Sequence, residues 1–168
     1  MEKQQSLIID KQSVQQKITR IAYQILEDNY KEKEIALIGI RENGYLVAEK
    51  LKKALEKIKT INIPLYEISV DKAKPSTKEI KHNFEASKLK NKVVILVDDV
   101  ANTGKTTFYA LSTLMDFPCK KIQIAVLIDR EHKAFPVHSD YVGMSLSTTL
   151  KEHVEVKIDK KETAVYLS

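Results

Sequence analysis

The chain has 168 residues, 43% hydrophobic and 30% charged, with a formal net charge of +5. This is the length of one domain, with enough apolar residues to build a core, so a disordered chain is excluded. The single cysteine excludes an intrachain disulfide framework and a zinc site built from several thiolates. There is no membrane-length apolar run and no secretory signal pattern, so we expect a soluble cytoplasmic protein with no membrane partner.

The net positive charge has three possible explanations, and composition alone does not distinguish them. The chain has 28 lysines and arginines against 23 acidic residues. Lysines scattered along helices usually form solvated faces, but a surface for nucleic acid or a site for a phosphorylated small molecule would also suit a basic protein.

Hydrophobic periodicity predicts alternating helices and strands in the first half of the chain. An amphipathic helix is expected over about 11–29, a buried strand over 35–40, a second helix over 47–58 and a strand over 61–70. The lysine-rich segment 71–90 is weakly periodic, which indicates a long flexible loop or a hairpin arm.

The second half continues the alternation. Its β-α-β order indicates an α/β domain, with a mostly parallel central sheet flanked by helices on both faces. Ligands of such sheets bind beyond the carboxyl ends of the strands, so the loops at strand ends are the places to look for function. The expected elements are a strand at 92–97, a helix at 106–115, a strand at 121–128 and short strands at 141–143, 153–158 and 163–167.

The segment 93–107 (VVILVDDVANTGKTT) carries the strongest functional signal. A buried strand runs directly into two adjacent carboxylates, Asp98 and Asp99, and a loop of small residues then opens a helix. The start of a helix offers free backbone N–H groups and the positive end of the helix dipole, which favour a phosphate. Gly104 allows close approach of the backbone, and Thr103 adds a hydroxyl.

Two other interpretations of this segment explain less of it. Gly104-Lys105-Thr106 matches the end of a nucleoside-triphosphate P-loop, but that motif needs a glycine where this chain has Asp99, so it is excluded. An ordinary helix cap would explain Thr103, but it does not explain two carboxylates side by side at a strand end.

The strand, the two acids and the TG-containing loop resemble the signature of the type I phosphoribosyltransferases. This resemblance implies that Asp98 and Asp99 bind the ribose hydroxyls of phosphoribosyl diphosphate (PRPP). It also implies that the loop binds the 5′-phosphate. The residues in this second role are Ala101, Asn102, Thr103, Gly104, Lys105 and Thr106.

Three further segments are similar to the PyrR-type members of that family: 18–27 (ITRIAYQILE), 38–44 (IGIRENG) and 127–143 (LIDREHKAFPVHSDYVG). The resemblance implies one domain over 1–168 with the type I phosphoribosyltransferase fold. It also implies a flexible arm at about 71–90 and a small hood over the base pocket at about 129–150.

The implied reaction transfers 5-phosphoribose from PRPP to a nucleobase, with uracil the leading acceptor, giving UMP and pyrophosphate. Mg²⁺ would be held mainly by the substrate, with no direct protein ligand. Asp98 and Asp99 are the catalytic candidates, together with Arg41 and the arm residue Lys72, for which Lys74 is an alternative. Asp129 and Arg130 are candidates for the base, although a strand-end ion pair would also explain them. The pyrophosphate loop comprises Arg41, Glu42, Asn43 and Gly44.

The chain departs from the family pattern at several of these positions. Asn102 replaces the aspartate of purine-specific relatives, which argues against a purine enzyme. Glu42-Asn43 stands where the family has Thr-Arg, so an acid is added and a cation is lost. In the arm, lysine replaces arginine, which keeps the charge without the bidentate geometry.

These departures motivate a second hypothesis, an RNA-binding regulator of pyrimidine genes with weak or lost transferase activity. The resemblance implies a basic surface for an mRNA leader that includes Thr19, Arg20 and Tyr23, the last where histidine is common. It also implies a homodimer or larger homo-oligomer. A transferase for another small base is a third possibility.

Overall fold

The computed structural model describes residues 5–71, 73–74, 80–149, 151–159 and 161–168. Lys72, predicted to be catalytic, lies outside the described residues. The helices are α1 (Lys11–Asp28), α2 (Asn43–Ile58), α3 (Ala86–Leu89) and α4 (Lys105–Leu114). None of the helices described is long and apolar enough to cross a membrane.

The larger of two sheets has six strands, in the order β4-β3-β2-β5-β6-β7. All neighbouring strands are parallel except β4, which pairs with β3 antiparallel. The predicted mostly parallel sheet is therefore confirmed. The strands are β2 (Ile35–Ile40), β3 (Leu65–Ser69), β4 (Lys81–His82), β5 (Val93–Ala101), β6 (Lys121–Arg130) and β7 (Tyr141–Leu146).

The central strands are buried on both faces, as continuous apolar runs predict. In β2, Ile35 and Leu37 pack into the core that contains α1 and α2, whereas Ala36 and Ile38 pack into the core that contains residues of α3 and α4. Because successive side chains of a strand point to opposite faces, one strand supplies both cores. The helices therefore cover the sheet on its two faces.

A smaller antiparallel sheet joins the two ends of the chain. Its order is β1-β9-β8, with β1 at Ser6–Ile9, β8 at Val154–Ile158 and β9 at Thr163–Leu167. The sequence did not predict β1. The hood expected at about 129–150 stays a prediction; within that range, 141–146 forms β7 of the large sheet.

The segment expected to be an arm has an ordered base. Strands β3 and β4 form the antiparallel hairpin stem, with Ile68 opposite His82. The His82 ring stacks on Phe84 at a centroid distance of 4.3 Å, and Phe117 contacts both rings edge-on. The short helix α3 then leads into β5. The hairpin interpretation therefore describes the base of the arm.

Strand β7 lies so close to β6 that it requires a glycine at position 143. A Cβ on Gly143 would lie 2.3 Å from the carbonyl oxygen of Leu127, which is backbone and cannot rotate away. We expect Gly143→Ala to lower the free energy of unfolding by about 3 kcal/mol, because the two strands must separate. Urea denaturation measures the change. Ser145→Ala, at an exposed position of the same strand, is the matched control and should change stability by less than about 0.5 kcal/mol. Equal stability of the two variants would contradict the prediction.

Candidate active site

The two adjacent acids are the last buried polar side chains of the central strand β5. Asp98 is 2% exposed and Asp99 is 7% exposed. The backbone N–H of Asp99 donates to Oδ1 of Asp98 at 2.9 Å. The strand continues past both residues to Ala101, further than the predicted end at 97, because it pairs with β6 through Ala101 and Asp129. The pairing of β5 with β6 therefore fixes the positions of the Asp98 and Asp99 carboxylates.

The loop after β5 turns into α4 through a left-handed residue. Gly104 has φ +81°, a conformation that glycine adopts without strain. The Thr103 hydroxyl accepts from the N–H of Lys105 at 3.3 Å. A small concavity of about 70 Å³ opens here, lined by Asp98, Val100, Asn102, Thr103, Gly104, Lys105, Thr106 and Thr107. Five of the six predicted phosphate residues thus border one space next to an acid, and the sixth, Ala101, is buried in β5.

The side chain of Lys133 binds backbone carbonyls of the loop between β5 and α4. Its ammonium donates to the carbonyl oxygens of Arg130, Asn102 and Ala101 at 2.7, 3.2 and 3.3 Å, and it forms an ion pair with Asp129. Sequence reasoning missed this residue. No motif marks it, because its partners are mainly backbone oxygens that the fold brings together.

The segment after Lys133 adds backbone contacts to the same loop. The N–H groups of Ala134 and Phe135 donate to the carbonyl of Thr103 at 2.9 and 3.1 Å. Val137 lies against Gly104, where a Cβ would meet its methyl group at 3.3 Å. The phosphate loop is therefore fixed by the chain that follows β6.

The two residues predicted to bind the base have partners within the protein. Asp129 pairs with Lys133, so the strand-end ion pair considered as its alternative is present. Arg130 is 8% exposed, and its guanidinium donates to groups of the segment 148–152 and to Asn102. The Arg130 side chain is therefore occupied in holding neighbouring segments together.

The loop between β2 and α2 meets the acid pair directly. A Cβ on Gly44 would lie 2.9 Å from Oδ1 of Asp98 and 3.0 Å from the carbonyl oxygen of Val97. Arg41 is exposed, and its N–H donates to the carbonyl of Ile68 at 2.8 Å. The predicted pyrophosphate loop and the predicted ribose acids therefore form one site.

Glu42 has a backbone conformation that L-residues rarely adopt, with φ 70° and ψ −123°. Such a conformation costs on the order of 1–3 kcal/mol and persists where the surroundings require it. Its carbonyl accepts from the N–H groups of Tyr45 and Leu46 at 3.1 and 3.2 Å, which begins α2. The residue lines a cavity of about 320 Å³ whose other members are Arg41, Ser69, Val70, Asp71 and Ala73.

Asn43 does not direct its side-chain amide to that cavity. Its Nδ2 donates to the carbonyl of Val156 in β8 at 2.8 Å. The neutral amide of Asn43 therefore links the Arg41–Gly44 loop to β8 of the small sheet. The longer side chain of the arginine found here in the family would not fit this same short contact.

The residues predicted to bind RNA lie on α1. Tyr23 is 58% exposed, whereas the guanidinium of Arg20 donates to the carbonyls of Val142 and Gly143 at 3.2 and 2.5 Å. Thr19 borders two open depressions of about 440 and 410 Å³. The second also contains Gln15, Lys50, Lys53, Ala54, Lys57 and Ile58.

The described part of the chain has no group of three His, Cys, Asp or Glu residues arranged to hold a metal ion.

Near the site, the hydrogen bond from the Thr149 N–H lowers the pKa of the Glu152 carboxyl, and the charge of Arg130 lowers it further. Glu152 is therefore an anion close to the Arg130 guanidinium.

Comparison with known proteins agrees with this geometry. Residues 4–161 match the family model described as a phosphoribosyl transferase domain. The chain is 37% identical to the bifunctional protein PyrR of Alkaliphilus metalliredigens, over 94% of this chain and 92% of the relative. It is 34% identical to that of Fusobacterium nucleatum, over 99% and 100% of the two chains.

The fold is that of solved phosphoribosyltransferases. The hypoxanthine phosphoribosyltransferase of Trypanosoma cruzi matches 95% of this chain and 89% of its own, with TM-score 0.77 and 15% identity. That of Staphylococcus aureus matches 86% and 80%, with TM-score 0.71 and 19% identity. The family model and the PyrR relatives together show that the chain belongs to the phosphoribosyltransferase family and is a phosphoribosyltransferase of the PyrR type.

Proposed function

We propose that this enzyme transfers the 5-phosphoribosyl group of PRPP to uracil, forming UMP and releasing pyrophosphate. The observation that carries the proposal is the meeting of three features at one sheet edge. These are the buried acids of β5, the loop that opens α4 and the Arg41–Gly44 loop packed against Asp98. The curated relatives named bifunctional protein PyrR support a pyrimidine as the acceptor.

Each part of the site has a chemical task in this reaction. Asp98 and Asp99 accept hydrogen bonds from the ribose hydroxyls, and the N-terminus of α4 binds the 5′-phosphate. Arg41 stabilises negative charge on the departing pyrophosphate. The N1 nitrogen of uracil then bonds to C1 as the bond from C1 to the pyrophosphate oxygen breaks. The electron pair leaves with pyrophosphate, and the N1 proton passes to pyrophosphate or water.

Mg²⁺ is part of the proposal. Mg²⁺ would be held mainly by oxygens of PRPP itself, as it commonly is at sites that bind substrate phosphates, and Asp98 and Asp99 would remain acceptors for the ribose hydroxyls. When bound with PRPP it would neutralise charge on the pyrophosphate. The protein's own contribution is to position the ribose and the phosphate beside it.

The acid pair gives the first test. Asp98→Asn and Asp99→Asn keep the shape of each side chain but replace one acceptor oxygen by a donor. We expect kcat/KM for PRPP to fall by about 100-fold in each variant, since a lost charge-assisted hydrogen bond is worth about 3 kcal/mol. UMP formation from uracil, PRPP and Mg²⁺ is the measurement. Asp116→Asn, at an exposed site after α4, is the control. A loss below threefold in both variants, or no UMP formation by the wild type, would overturn the proposal.

Glu42 gives the second test, because its charge and its backbone strain can be separated. Glu42→Gln removes the charge and keeps the strain, whereas Glu42→Gly removes both. We expect both variants to lower KM for PRPP by about 3- to 10-fold, since an acid no longer faces the pyrophosphate. Only Glu42→Gly should raise the free energy of unfolding, by about 1 kcal/mol. An unchanged or higher KM in both variants would show that the Glu42 charge does not oppose PRPP.

A second candidate function, RNA binding, is favoured by the surface of α1 and α2. Tyr23 is exposed and can stack on a base, and the neighbouring depression has three lysines of α2 and no carboxylate in its lining. Arg20 is held by backbone carbonyls, so it would contribute charge rather than a flexible contact. We propose that a pyrimidine-gene leader RNA binds this face.

Salt dependence tests the RNA proposal. The slope of log K against log salt is negative, and its magnitude should fall by about 1.4 in the double variant Lys53→Gln/Lys57→Gln, because each phosphate contact to a single strand contributes about 0.7. Leader RNA from upstream of a pyrimidine gene is titrated at several salt concentrations. The exposed pair Lys88→Gln/Lys90→Gln, in α3 and at its C-terminal end, is the control for net charge. An equal change in both doubles, or no binding at low salt, would contradict the proposal.

The proposal also includes a cytoplasmic homodimer or larger homo-oligomer. Its support is the resemblance to the PyrR type across nearly the whole chain. Light scattering of the purified chain would measure the assembly state.

A further inference from the structure

Three consecutive backbone carbonyls, at the end of β5 and in the loop that follows it, are bound by one short segment, 133–135. The Lys133 ammonium donates to the carbonyl oxygens of Ala101 and Asn102 at 3.3 and 3.2 Å. The other two residues of the segment donate their backbone N–H groups to the next carbonyl, that of Thr103, at 2.9 and 3.1 Å. The carbonyls of three successive peptide groups therefore face the same segment.

The direction of these carbonyls fixes the direction of the N–H groups that follow them. In a planar trans peptide group, the C=O and the N–H of the next residue point in opposite directions. None of the peptide bonds in the described part of the chain is cis. The N–H groups of Asn102, Thr103 and Gly104 therefore point away from the segment 133–135. Successive backbone N–H groups in a turn form a concave site for an anion.

The concavity next to the loop lies on the side to which these N–H groups point. Its lining contains Asn102, Thr103 and Gly104, whereas no residue of 133–135, all of which the structure describes, borders it. The stem of Lys133 lies across the loop from this space, where a Cβ on Gly104 would meet its Cδ at 3.5 Å. The loop therefore separates a cation from the space proposed for the 5′-phosphate.

The ammonium of Lys133 is itself held by the end of β6. It donates to the carbonyl of Arg130 at 2.7 Å and forms an ion pair with Asp129, and only 26% of the lysine side chain is exposed. The central sheet thus fixes the position of this charge. A cation bound to a carbonyl polarises the peptide group, which strengthens the N–H donor on its other side. Lys133 therefore both orients the loop and strengthens its donors.

We propose that Lys133 is the positioning residue of the 5′-phosphate site, because it binds the carbonyl side of the loop and keeps three backbone N–H groups directed at the phosphate. This inference rests on the proposed function and adds to it a source of affinity for the phosphate monoester. The ammonium lies behind the loop and does not touch the substrate. Since the 5′-phosphate is bound in the same way before and during the displacement at C1, Lys133 contributes to the binding of PRPP more than to the chemical step.

Substitution of the lysine tests the proposal through the separation of KM from kcat. Lys133→Met removes the charge and every donor but keeps a long stem. We expect KM for PRPP to rise at least about tenfold, with kcat changed less than threefold, since the loop N–H groups are no longer held in place. Lys133→Arg keeps a charge and several donors, so its KM should lie within threefold of the wild type. A merely structural lysine would instead lower kcat through loss of folded protein, with KM unchanged.

Lys92→Met is the matched control. Lys92 lies immediately before β5, at the end of the strand opposite the site, and forms an ion pair with Glu34 with 28% of its side chain exposed. Its loss removes a similar contact and should leave KM for PRPP within twofold of the wild type. Equal increases of KM in the two methionine variants would overturn the inference. Thermal unfolding identifies a variant that does not fold, and Lys133→Gln, which keeps an amide donor without the charge, then replaces Lys133→Met.

Equilibrium binding separates this inference from the transferase proposal, because it needs no turnover. Ribose 5-phosphate is titrated by calorimetry into the wild type, Lys133→Met and Lys92→Met. Its Kd should rise at least about tenfold in Lys133→Met only. A wild type that forms no UMP sinks the transferase proposal, yet this rise would still support the role of Lys133. A Kd that changes less than threefold in Lys133→Met, or a wild type that does not bind ribose 5-phosphate, overturns the inference.

Discussion

The contact between Gly44 and Asp98 is the constraint on which the rest of the site depends. A Cβ added at position 44 would lie only 2.9 Å from a carboxylate oxygen of Asp98. The start of α2 can therefore lie beside β5 only because residue 44 is a glycine. This approach brings Arg41 and Glu42 to the edge of the sheet where the acids lie. Parallel strands place their carboxyl ends at that same edge, so two loops distant in sequence form one site.

Much of the positive charge near this edge is used to hold the backbone. Lys133 binds the carbonyls of the phosphate loop, Arg130 binds those of Thr149 and Glu152, and Arg20 binds those of β7. Buried carbonyls need donors, and a cation satisfies several of them at once. A net charge of +5 therefore overstates the charge available to ligands. Arg41 and the α2 residues Lys53 and Lys57, by contrast, are exposed.

The buried central strands could be predicted from the sequence, because each is a short continuous run of apolar residues. The strand at 35–40 was predicted with the observed bounds, because all six residues are buried and apolar. The acid pair could be singled out because two adjacent carboxylates and a TG-containing loop follow a buried apolar run, and this remains visible in the sequence even though β5 extends to Ala101. Strand β1 was not, since a four-residue, mostly exposed strand exists only through pairing with the far end of the chain.

Side-chain direction was likewise beyond the sequence. Asn43 and Arg130 lie at the predicted places, yet one is directed to β8 and the other to the segment after β7. Both choices depend on carbonyl groups more than 18 residues away in the chain. The local sequence pattern does not specify such long-range hydrogen-bond partners. The location of a residue near the site could therefore be predicted from the sequence, but the direction of its side chain could not.

The departures from the family pattern fall on the two sides of β5, and each has local structural support. On the β2 side, the carbonyl of the strained Glu42 begins α2, so the strain is offset by helix contacts. On the β6 side, Asn102 is held by Arg130. Glu42 and Asn102 therefore lie on opposite sides of the acid pair of β5. Each departure is thus supported by a different neighbouring element, α2 for Glu42 and the end of β6 for Asn102, so the two positions are structurally independent of each other.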